Sequence, residues 1–268
     1  MKIYLLGDVG EMNVDTKKIL NNIKKDDSEK VILLLGDNFY PDGVCSINDE
    51  QWLNFKDINI EFPIYAILGN HDYLGNVKAQ IEYNDNNWNL PNFYYKKTFE
   101  NIDYFFIDTS IILPNFSNID YTIVKSKLGQ EPLEFCKKML DWLEDELSKT
   151  KNYKIVVGHY PISSLGIYGI NKKLFIKLFP IFKKFDVKYY ISGHDHNLQI
   201  VDIFTLGFEM KQIVSAGSSN LYPIIDNASN KIFSCFGTVM LDLKTYLVKI
   251  LDSNLNILYQ EKLLFKKN

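Results

Sequence analysis

The chain repeats one short pattern, in which a continuous apolar run is followed by glycine and then by a polar residue with a metal-ligating atom. The pattern ends at Asp8 in KIYLLGD, Asp37 in VILLLGD, Asn70 in IYAILGN, His159 in KIVVGH and His194 in YYISGH. Continuous apolar runs are typical of strands that are buried on both faces, and glycine lets the backbone turn where each strand ends. Because open α/β sheets bind ligands at the carboxyl ends of their strands, the pattern predicts an α/β fold whose site is built from these residues.

The remaining segments predict further strands and helices of the same fold. YFFIDT (104–109) and QIVSAG (212–217) are predicted to join the same sheets without supplying ligands. Amphipathic periodicity predicts helices over 13–25, 132–149 and 171–185. The alternating end of the chain, 237–264, predicts a meander of antiparallel strands.

The helix over 132–149 has a predicted buried stripe, formed by Leu133, Cys136, Leu140, Leu143 and Leu147. Residues 110–131 follow no clear pattern and exceed ordinary loop lengths. Long loops of this kind are often functional, so we expect a flap over the site. We find no repeat, linker or low-complexity block, and we expect a single domain over 1–268.

Charge and composition restrict the ways in which this chain can bind anions. The formal net charge is −3, from 30 basic and 33 acidic residues, which argues against a general nucleic-acid or anionic-membrane binder. All the basic residues are lysines. Since the bidentate guanidinium fork is missing, anion recognition must come from lysines, backbone N–H groups or metal ions.

The sequence begins without a visible signal peptide and contains no transmembrane run. We therefore expect a cytoplasmic protein; a truncated sequence would leave a secreted or lysosomal location open. The 3 cysteines form no disulfide framework. We also expect a monomer without nucleic-acid or membrane partners.

All four histidines, His71, His159, His194 and His196, lie in the segments GNHD, GHYP and GHDHN. One histidine after a strand is more often a capping or core residue than a ligand, but the whole set together indicates a metal centre. Oxygen and nitrogen donors without cysteine suit hard or borderline metals. The set is too large for one ion, so it predicts two. The candidate donors are Asp8, Asp37, Tyr40, Asn70, His159, His194 and His196.

The segments GDVG, GDNFY, GNHDYLG, GHYP and GHDHN resemble, in order, the five motifs of the calcineurin-like metallophosphoesterases. The tyrosine of GDNFY makes the chain similar, more narrowly, to the small purple acid phosphatases of the tartrate-resistant type. The resemblance covers nearly the whole chain. It implies a four-layer sandwich, in which two mixed β-sheets are flanked by helices and the site lies at the carboxyl ends of the strands.

The resemblance also implies which donors hold which ion. Asp8, Tyr40 and His196 would bind Fe(III), with Asp37 bridging to the second metal. Asn70, His159 and His194 would complete the site of that second, divalent ion, which would be Fe, Zn or Mn. Such a centre implies an acid phosphatase that hydrolyses phosphate monoesters with a metal-bound hydroxide. Its substrates would be small phosphate monoesters or phosphoproteins.

Three residues are expected to contact substrate by the same resemblance: Asn70, His71 and Tyr168. His71 would either protonate the leaving group or only order the phosphate, and the sequence leaves both roles open. Tyr168 stands where mammalian-type members carry a second histidine. Because tyrosine is a poor acid at low pH, this departure puts the acid optimum in question.

Two alternative functions stay open at the level of the sequence. A phosphodiesterase or protein phosphatase could use the same fold, although a tyrosine ligand disfavours both. A metal-binding scaffold that has lost catalysis could act through protein contacts, although every expected ligand is present.

Overall fold

The structure is a computed structural model and describes residues 1–85, 87–225 and 229–265. The strands of these residues are β1 (Lys2–Leu6), β2 (Lys30–Leu35), β3 (Ile64–Ile67), β4 (Trp88–Asn89), β5 (Tyr95–Phe99), β6 (Ile102–Phe106), β7 (Tyr153–Val157), β8 (Tyr189–Ser192), β9 (Leu198–Thr205), β10 (Phe208–Ser215), β11 (Ile232–Phe233), β12 (Gly237–Asp242), β13 (Leu247–Asp252) and β14 (Ile257–Lys262). The α-helices are α1 (Val14–Lys24), α2 (Leu53–Lys56), α3 (Val77–Glu82), α4 (Thr109–Ile112), α5 (Tyr121–Leu128), α6 (Pro132–Lys149) and α7 (Lys172–Phe185). Two short 3₁₀ helices cover Glu50–Trp52 and Asp72–Leu74.

The strands form two seven-stranded mixed sheets. The first has the order β14-β13-β12-β1-β2-β3-β4, with β1 parallel to β2 and antiparallel to β12. The second has the order β11-β9-β10-β8-β7-β6-β5, with β8 parallel to both β7 and β10. The parallel strands that carry the glycine-led pattern therefore lie in the middle of each sheet.

Successive residues of the central strands pack into two different cores. In β1, Ile3 and Leu5 belong to the core between the two sheets, whereas Tyr4 and Leu6 belong to the core under the helices. Burial on both faces explains why these strands are continuously apolar, and each fully buried aliphatic side chain stabilises the fold by about 1.5–3 kcal/mol. The predicted α/β sandwich of two mixed sheets flanked by helices is confirmed.

The predicted amphipathic helices are confirmed as α1, α6 and α7, and the predicted meander is confirmed as β12 to β14. Within the residues that the structure describes, no helix combines the length and the apolar character needed to cross a membrane. The extent of the domain, 1–268, stays a prediction.

The segment 110–131 is not the unpatterned loop that we expected, because it contains most of α4 and the whole of α5. The Asp120 side chain accepts a hydrogen bond from the Ile123 N–H at 2.8 Å and caps the start of α5. Gly129, with φ of 69°, ends that helix in the left-handed conformation. These capping residues were the sequence signals for a short helix.

The buried stripe of α6 also differs from the prediction. Leu133 is 68% exposed, whereas Met139 is fully buried beside Cys136, Leu143 and Leu147. At about 100° per residue, the ten residues between Leu133 and Leu143 place their side chains about 80° apart around the helix. Leu133 therefore lies at the edge of the stripe and faces solvent.

Two leucine substitutions in α6 test this assignment. Leu143→Ala should lower the free energy of unfolding by about 2–5 kcal/mol, because it leaves a cavity in a core with no exposed surface. Leu133→Ala is the matched control and should change stability by less than about 0.5 kcal/mol. Urea unfolding followed by circular dichroism gives both values, and equal losses would show that the register of the buried stripe is wrong.

Candidate metal centre

The polar residues that end the five patterned strands meet at one edge of the molecule. Asp8, Asp37 and Asn70 follow β1, β2 and β3 of the first sheet, and His159 and His194 follow β7 and β8 of the second. All five side chains are buried. The structure therefore brings together the residues that the strand pattern singled out, and Tyr40 and His196 join them from the segments that follow Asp37 and His194.

The strand ends use unusual backbone conformations to aim these side chains. Asp8, Asp37 and His194 have φ of 60°, 54° and 69°, in the left-handed region that side chains rarely adopt. Gly36 has φ of 89°, and a Cβ atom there would lie 2.7 Å from Nδ1 of His159. Glycine is needed at that position because the second sheet brings an imidazole against the backbone of the first.

One group of donors surrounds the Tyr40 hydroxyl. Its Oη atom lies 3.1 Å from Oδ1 of Asp8, 3.3 Å from Oδ2 of Asp37 and 3.3 Å from Nε2 of His196. The two carboxylate oxygens can only accept, and a phenol has one hydrogen to donate, so Tyr40 can satisfy only one of them. A cation bound among these atoms would satisfy all of them.

A second group of donors surrounds His159. Its Nε2 atom lies 3.0 Å from Oδ1 of Asn70 and 3.5 Å from Oδ2 of Asp37. Ligating atoms of Asp37, His159 and His194 all lie within 4.8 Å of one another. Because the same oxygen of Asp37 faces both Tyr40 and His159, its carboxylate lies between the two groups.

The imidazole of His194 shows that the residues fit a metal ion. Its Nε2 atom is buried and has no hydrogen-bond partner among the described residues. Burial, followed by the nearby His159, lowers the pKa of His194 well below its ordinary value, so the ring is neutral and keeps a free lone pair. Buried polar atoms are almost always paired in folded proteins, and a bound cation would supply the partner.

Backbone groups fix the orientation of the donors. Oδ2 of Asp8 accepts a hydrogen bond from the His194 N–H at 2.8 Å, which ties the two sheets together. Nδ1 of His159 lies 2.8 Å from the Leu35 carbonyl. The carbonyl can only accept, so Nδ1 carries the hydrogen and Nε2 is left free to ligate, as is usual for metal-binding histidines.

Two carboxylates in the motifs support the site from behind. Asp72 of GNHD accepts hydrogen bonds from the Gly69 N–H, the Asn38 N–H and the Gln80 side chain, at 2.8, 3.1 and 2.8 Å. Asp195 of GHDHN accepts from the Ser164 hydroxyl and from the Asn197 amide. Burial raises the pKa of both carboxyl groups, that of Asp72 to about 6. These residues hold the loops that carry the candidate ligands.

Without bound metal, the centre retains protons. Burial and then the Asp8 charge raise the pKa of the Asp37 carboxyl, and burial with both carboxylates raises that of the Tyr40 phenol. Burial alone would lower the pKa of His159, but the charges of Asp37 and Asp8 outweigh it and raise that pKa. Burial likewise lowers the pKa of His196, but the charge of Asp8 outweighs that effect, and the pKa of His196 is raised. A binding cation must therefore displace protons.

Zinc binding to the metal-free protein should depend on pH for this reason. Groups with raised pKa values compete with the metal more strongly as pH falls, so affinity should rise between about pH 6.5 and 8. Calorimetry in two buffers of different ionisation enthalpy should show release of at least about one proton per chain. Affinity that does not change with pH would contradict the assignment.

The three expected substrate contacts line one pocket of about 360 Å³ at this centre: Asn70, His71 and Tyr168. His71 is half-buried, and its Nδ1 atom lies 2.6 Å from the Pro41 carbonyl. The Tyr168 ring lies 4.2 Å from the ring of His194, measured between centroids. Their positions agree with a substrate pocket, and their catalytic roles stay predictions.

Several residues of the pocket were not found from the sequence. Tyr222 stacks on His196 with centroids 4.3 Å apart and planes 8° from parallel. Asn118 accepts a hydrogen bond from the Asn70 amide at 2.7 Å. Glu11, Ser117 and Asn220 also line the pocket. The position of Glu11 beside GDVG was a signal for its place here, whereas no local pattern indicated the others.

Ser117 and Asn118 belong to the segment that we expected to act as a flap. The segment does reach the pocket, through these two residues. Its control of activity stays a prediction.

The sequence profile of the family described as calcineurin-like phosphoesterase matches residues 1–198. This chain belongs to that family.

Individual relatives narrow the comparison. Tartrate-resistant acid phosphatase type 5 of Oryctolagus cuniculus is 36% identical over 188 residues, which cover 63% of this chain and 55% of the relative. Purple acid phosphatase 3 of Arabidopsis thaliana is 32% identical over 207 residues, which cover 71% of this chain and 54% of the relative. The chain thus spans about half the length of the curated relatives it matches.

Two solved structures share the fold. GAP50, described as the anchor in the inner membrane complex of Plasmodium, superposes with a TM-score of 0.81 at 26% identity, and covers 100% of this chain and 89% of its own. Purple acid phosphatase PPD1 from seeds of Lupinus luteus gives a TM-score of 0.68 at 16% identity, over 97% of this chain and 53% of its own. At that identity the lupin structure supports the fold alone.

Proposed function

We propose that this protein is an acid phosphatase that hydrolyses phosphate monoesters at a dinuclear Fe(III)–M(II) centre. The observation that carries the proposal is the position of Asp37, whose buried carboxylate lies between the Tyr40 group and the His159 group. Two groups of oxygen and nitrogen donors that share one carboxylate are what a pair of ions requires. The relatives named acid phosphatase support the same reaction.

The chemistry of the donors suggests which ion each group holds. Asp8, Tyr40 and His196 would hold Fe(III), since a phenolate is a hard anionic ligand that suits a trivalent ion. Asn70, His159 and His194 would hold the divalent ion, which is Fe, Zn or Mn, and Asp37 would serve both. When bound, the metals would supply Lewis acidity towards phosphoryl oxygens and would lower the pKa of water, so that hydroxide would be available to attack phosphorus.

Bound metal ions, rather than lysine or arginine side chains, would be the main cations that this pocket offers to a phosphate. The chain has no arginine, and none of its lysines is among the described residues that line the pocket.

The Asn70 amide points its nitrogen at Asn118 and its oxygen at His159, so the oxygen faces the candidate centre. The hydrogen bond from the Asn70 amide nitrogen to Asn118 therefore fixes the amide oxygen as the atom available to a metal.

His71 is positioned to transfer a proton at Nε2. Its Nδ1 atom must carry a hydrogen, because the Pro41 carbonyl at 2.6 Å can only accept one. The backbone N–H of the same residue donates to Oδ1 of Asp37 at 2.9 Å, which fixes His71 beside the centre. The Asn118 amide nitrogen lies 3.5 Å from Nε2, and a hydrogen carried on Nε2 would be the one available to a leaving oxygen.

Metal content, colour and turnover together test the proposed function. Protein loaded with iron and zinc should bind two ions per chain, hydrolyse nitrophenyl phosphate, and absorb visible light through charge transfer from Tyr40 to Fe(III). Tyr40→Phe should lose the visible band while keeping the fold. A colourless protein that contains bound Fe(III) would contradict the Tyr40 assignment. Faster hydrolysis of bis-nitrophenyl phosphate would favour a phosphodiesterase.

Substitution of His71 tests its role as the proton donor. General acid catalysis is worth about 10²–10⁴ in rate, and an alkoxide needs the proton more than a nitrophenolate does. His71→Ala should therefore lower kcat on an alkyl phosphate by about that factor and on nitrophenyl phosphate by clearly less, with metal content unchanged. Equal losses on both substrates would mean that His71 orders the phosphate instead.

A metal-binding scaffold without catalysis is the second candidate, and the similarity to GAP50 over the whole chain favours it. That protein is described as an anchor, and it superposes better than the lupin phosphatase does. The experiment above separates the two candidates, because a scaffold would bind metal and hydrolyse neither monoester nor diester. The expected monomer, the cytoplasmic location and the lack of nucleic-acid or membrane partners stay predictions.

A further inference from the structure

The outer part of the pocket has an aromatic wall built on the candidate ligands. The Tyr168 ring packs on His194 and the Tyr222 ring stacks on His196, with 6.2 Å between the two tyrosine centroids. The Tyr222 N–H also donates to the His196 carbonyl at 2.8 Å. Both rings are half-buried, so each is anchored on one side and leaves surface for a ligand on the other. Aromatic surfaces of this kind bind flat apolar groups and cations.

A carboxylate is fixed at the mouth of the same pocket. Glu11 is exposed and lines the pocket, and its Oε1 atom accepts a hydrogen bond from the Asn220 amide at 2.8 Å. Asn220 is itself held in place, because the preceding carbonyl of Ser219 accepts from Asn13 at 2.5 Å. Among the described residues Glu11 has no lysine as an ion-pair partner, so its negative charge acts on whatever occupies the pocket.

Lysine and arginine are absent from the described side chains that line the pocket around this carboxylate. The protein has 30 basic residues, yet the pocket lining within the described ranges contains none. A second phosphate or a carboxylate on a ligand would find no lysine or arginine there and would be repelled by Glu11. An ammonium group would be attracted by Glu11 and could lie against the tyrosine rings.

We propose that Tyr168, Tyr222 and Glu11 form a leaving-group subsite for aryl phosphates that carry a positively charged substituent. The proposal rests on the proposed function, since it assumes that the phosphoryl group lies at the metal centre. The tyrosine rings select the aromatic group, and Glu11 selects its charge. Glu11 is thereby a specificity residue, which the motifs alone do not define.

Binding of two arylphosphonates to the metal-loaded protein tests this subsite without relying on turnover. The probes are 4-(2-aminoethyl)phenylphosphonate and 4-(2-carboxyethyl)phenylphosphonate, which share the aryl phosphonate and differ in the charge of the substituent. Titration calorimetry should show the ammonium compound binding at least about tenfold more tightly, from attraction in one case and repulsion in the other. Added salt should weaken the preference, because the carboxylate is exposed.

Glu11→Gln should bring the two affinities to within about twofold of each other while the protein keeps its metal. The matched control is Glu29→Gln, which removes the same charge from an exposed residue at the opposite end of β2 and should keep the preference. Tyr222→Leu, checked for metal content, should reduce the preference for phenylphosphonate over methylphosphonate. If Tyr222→Leu loses metal, Tyr168→Leu is used in its place and should likewise reduce the preference for phenylphosphonate over methylphosphonate.

Equal binding of the two charged probes, or a preference that survives Glu11→Gln, would overturn the subsite, and so would failure of both probes to bind. The proposed phosphatase would then still stand on its hydrolysis of nitrophenyl phosphate. Conversely, a protein that hydrolyses no ester but discriminates between the probes would contradict the phosphatase and the leaving-group role, while supporting the preference of the pocket for a cationic aryl group.

Discussion

The buried carboxylate of Asp37 is the group around which the rest of this structure is arranged. One oxygen faces Tyr40 and His159, and the other accepts the His71 N–H. A buried anion is costly unless it is compensated, and burial with the neighbouring Asp8 raises its pKa. Both sheets contribute to the ring of donors around it, so a cation bound there would stabilise the contact between the sheets as well as the site.

The backbone at the strand ends is strained, because donors from two sheets must point at one place. Left-handed conformations at Asp8, Asp37 and His194 are each worth about 1–3 kcal/mol of strain. Strands buried on both faces can hold such turns, because residues such as Ile3 and Tyr4 of β1 lie in two different cores. The same architecture leaves His194 Nε2 buried without a hydrogen-bond partner in the described part of the chain, which is unfavourable in a structural residue and useful in a ligand.

The sequence was informative where a local pattern reports a local structure. Apolar runs that end in glycine predicted the strand ends, because parallel strands in one sheet must bring their carboxyl ends together. This places Asp8 beside Asp37 in the first sheet and His159 beside His194 in the second, whereas the meeting of the two sheets at one edge follows only from the structure. Tyr222 could not be found in this way, since its stacking on His196 joins segments that no spacing rule connects. Leu133 was wrongly assigned to the buried face of α6, because that face is narrower than the spacing of the apolar residues suggested. The short helix α5 was missed, although Asp120 and Gly129 cap its two ends.

Anomalous diffraction from crystals of the iron- and zinc-loaded protein tests the central claim most directly. Data at the two absorption edges should show an iron and a zinc position about 3.5–4 Å apart, with an Asp37 oxygen between them. Iron should lie on the Tyr40 side, and zinc on the His159 side. A single metal position, or two positions that do not share Asp37, would contradict the account.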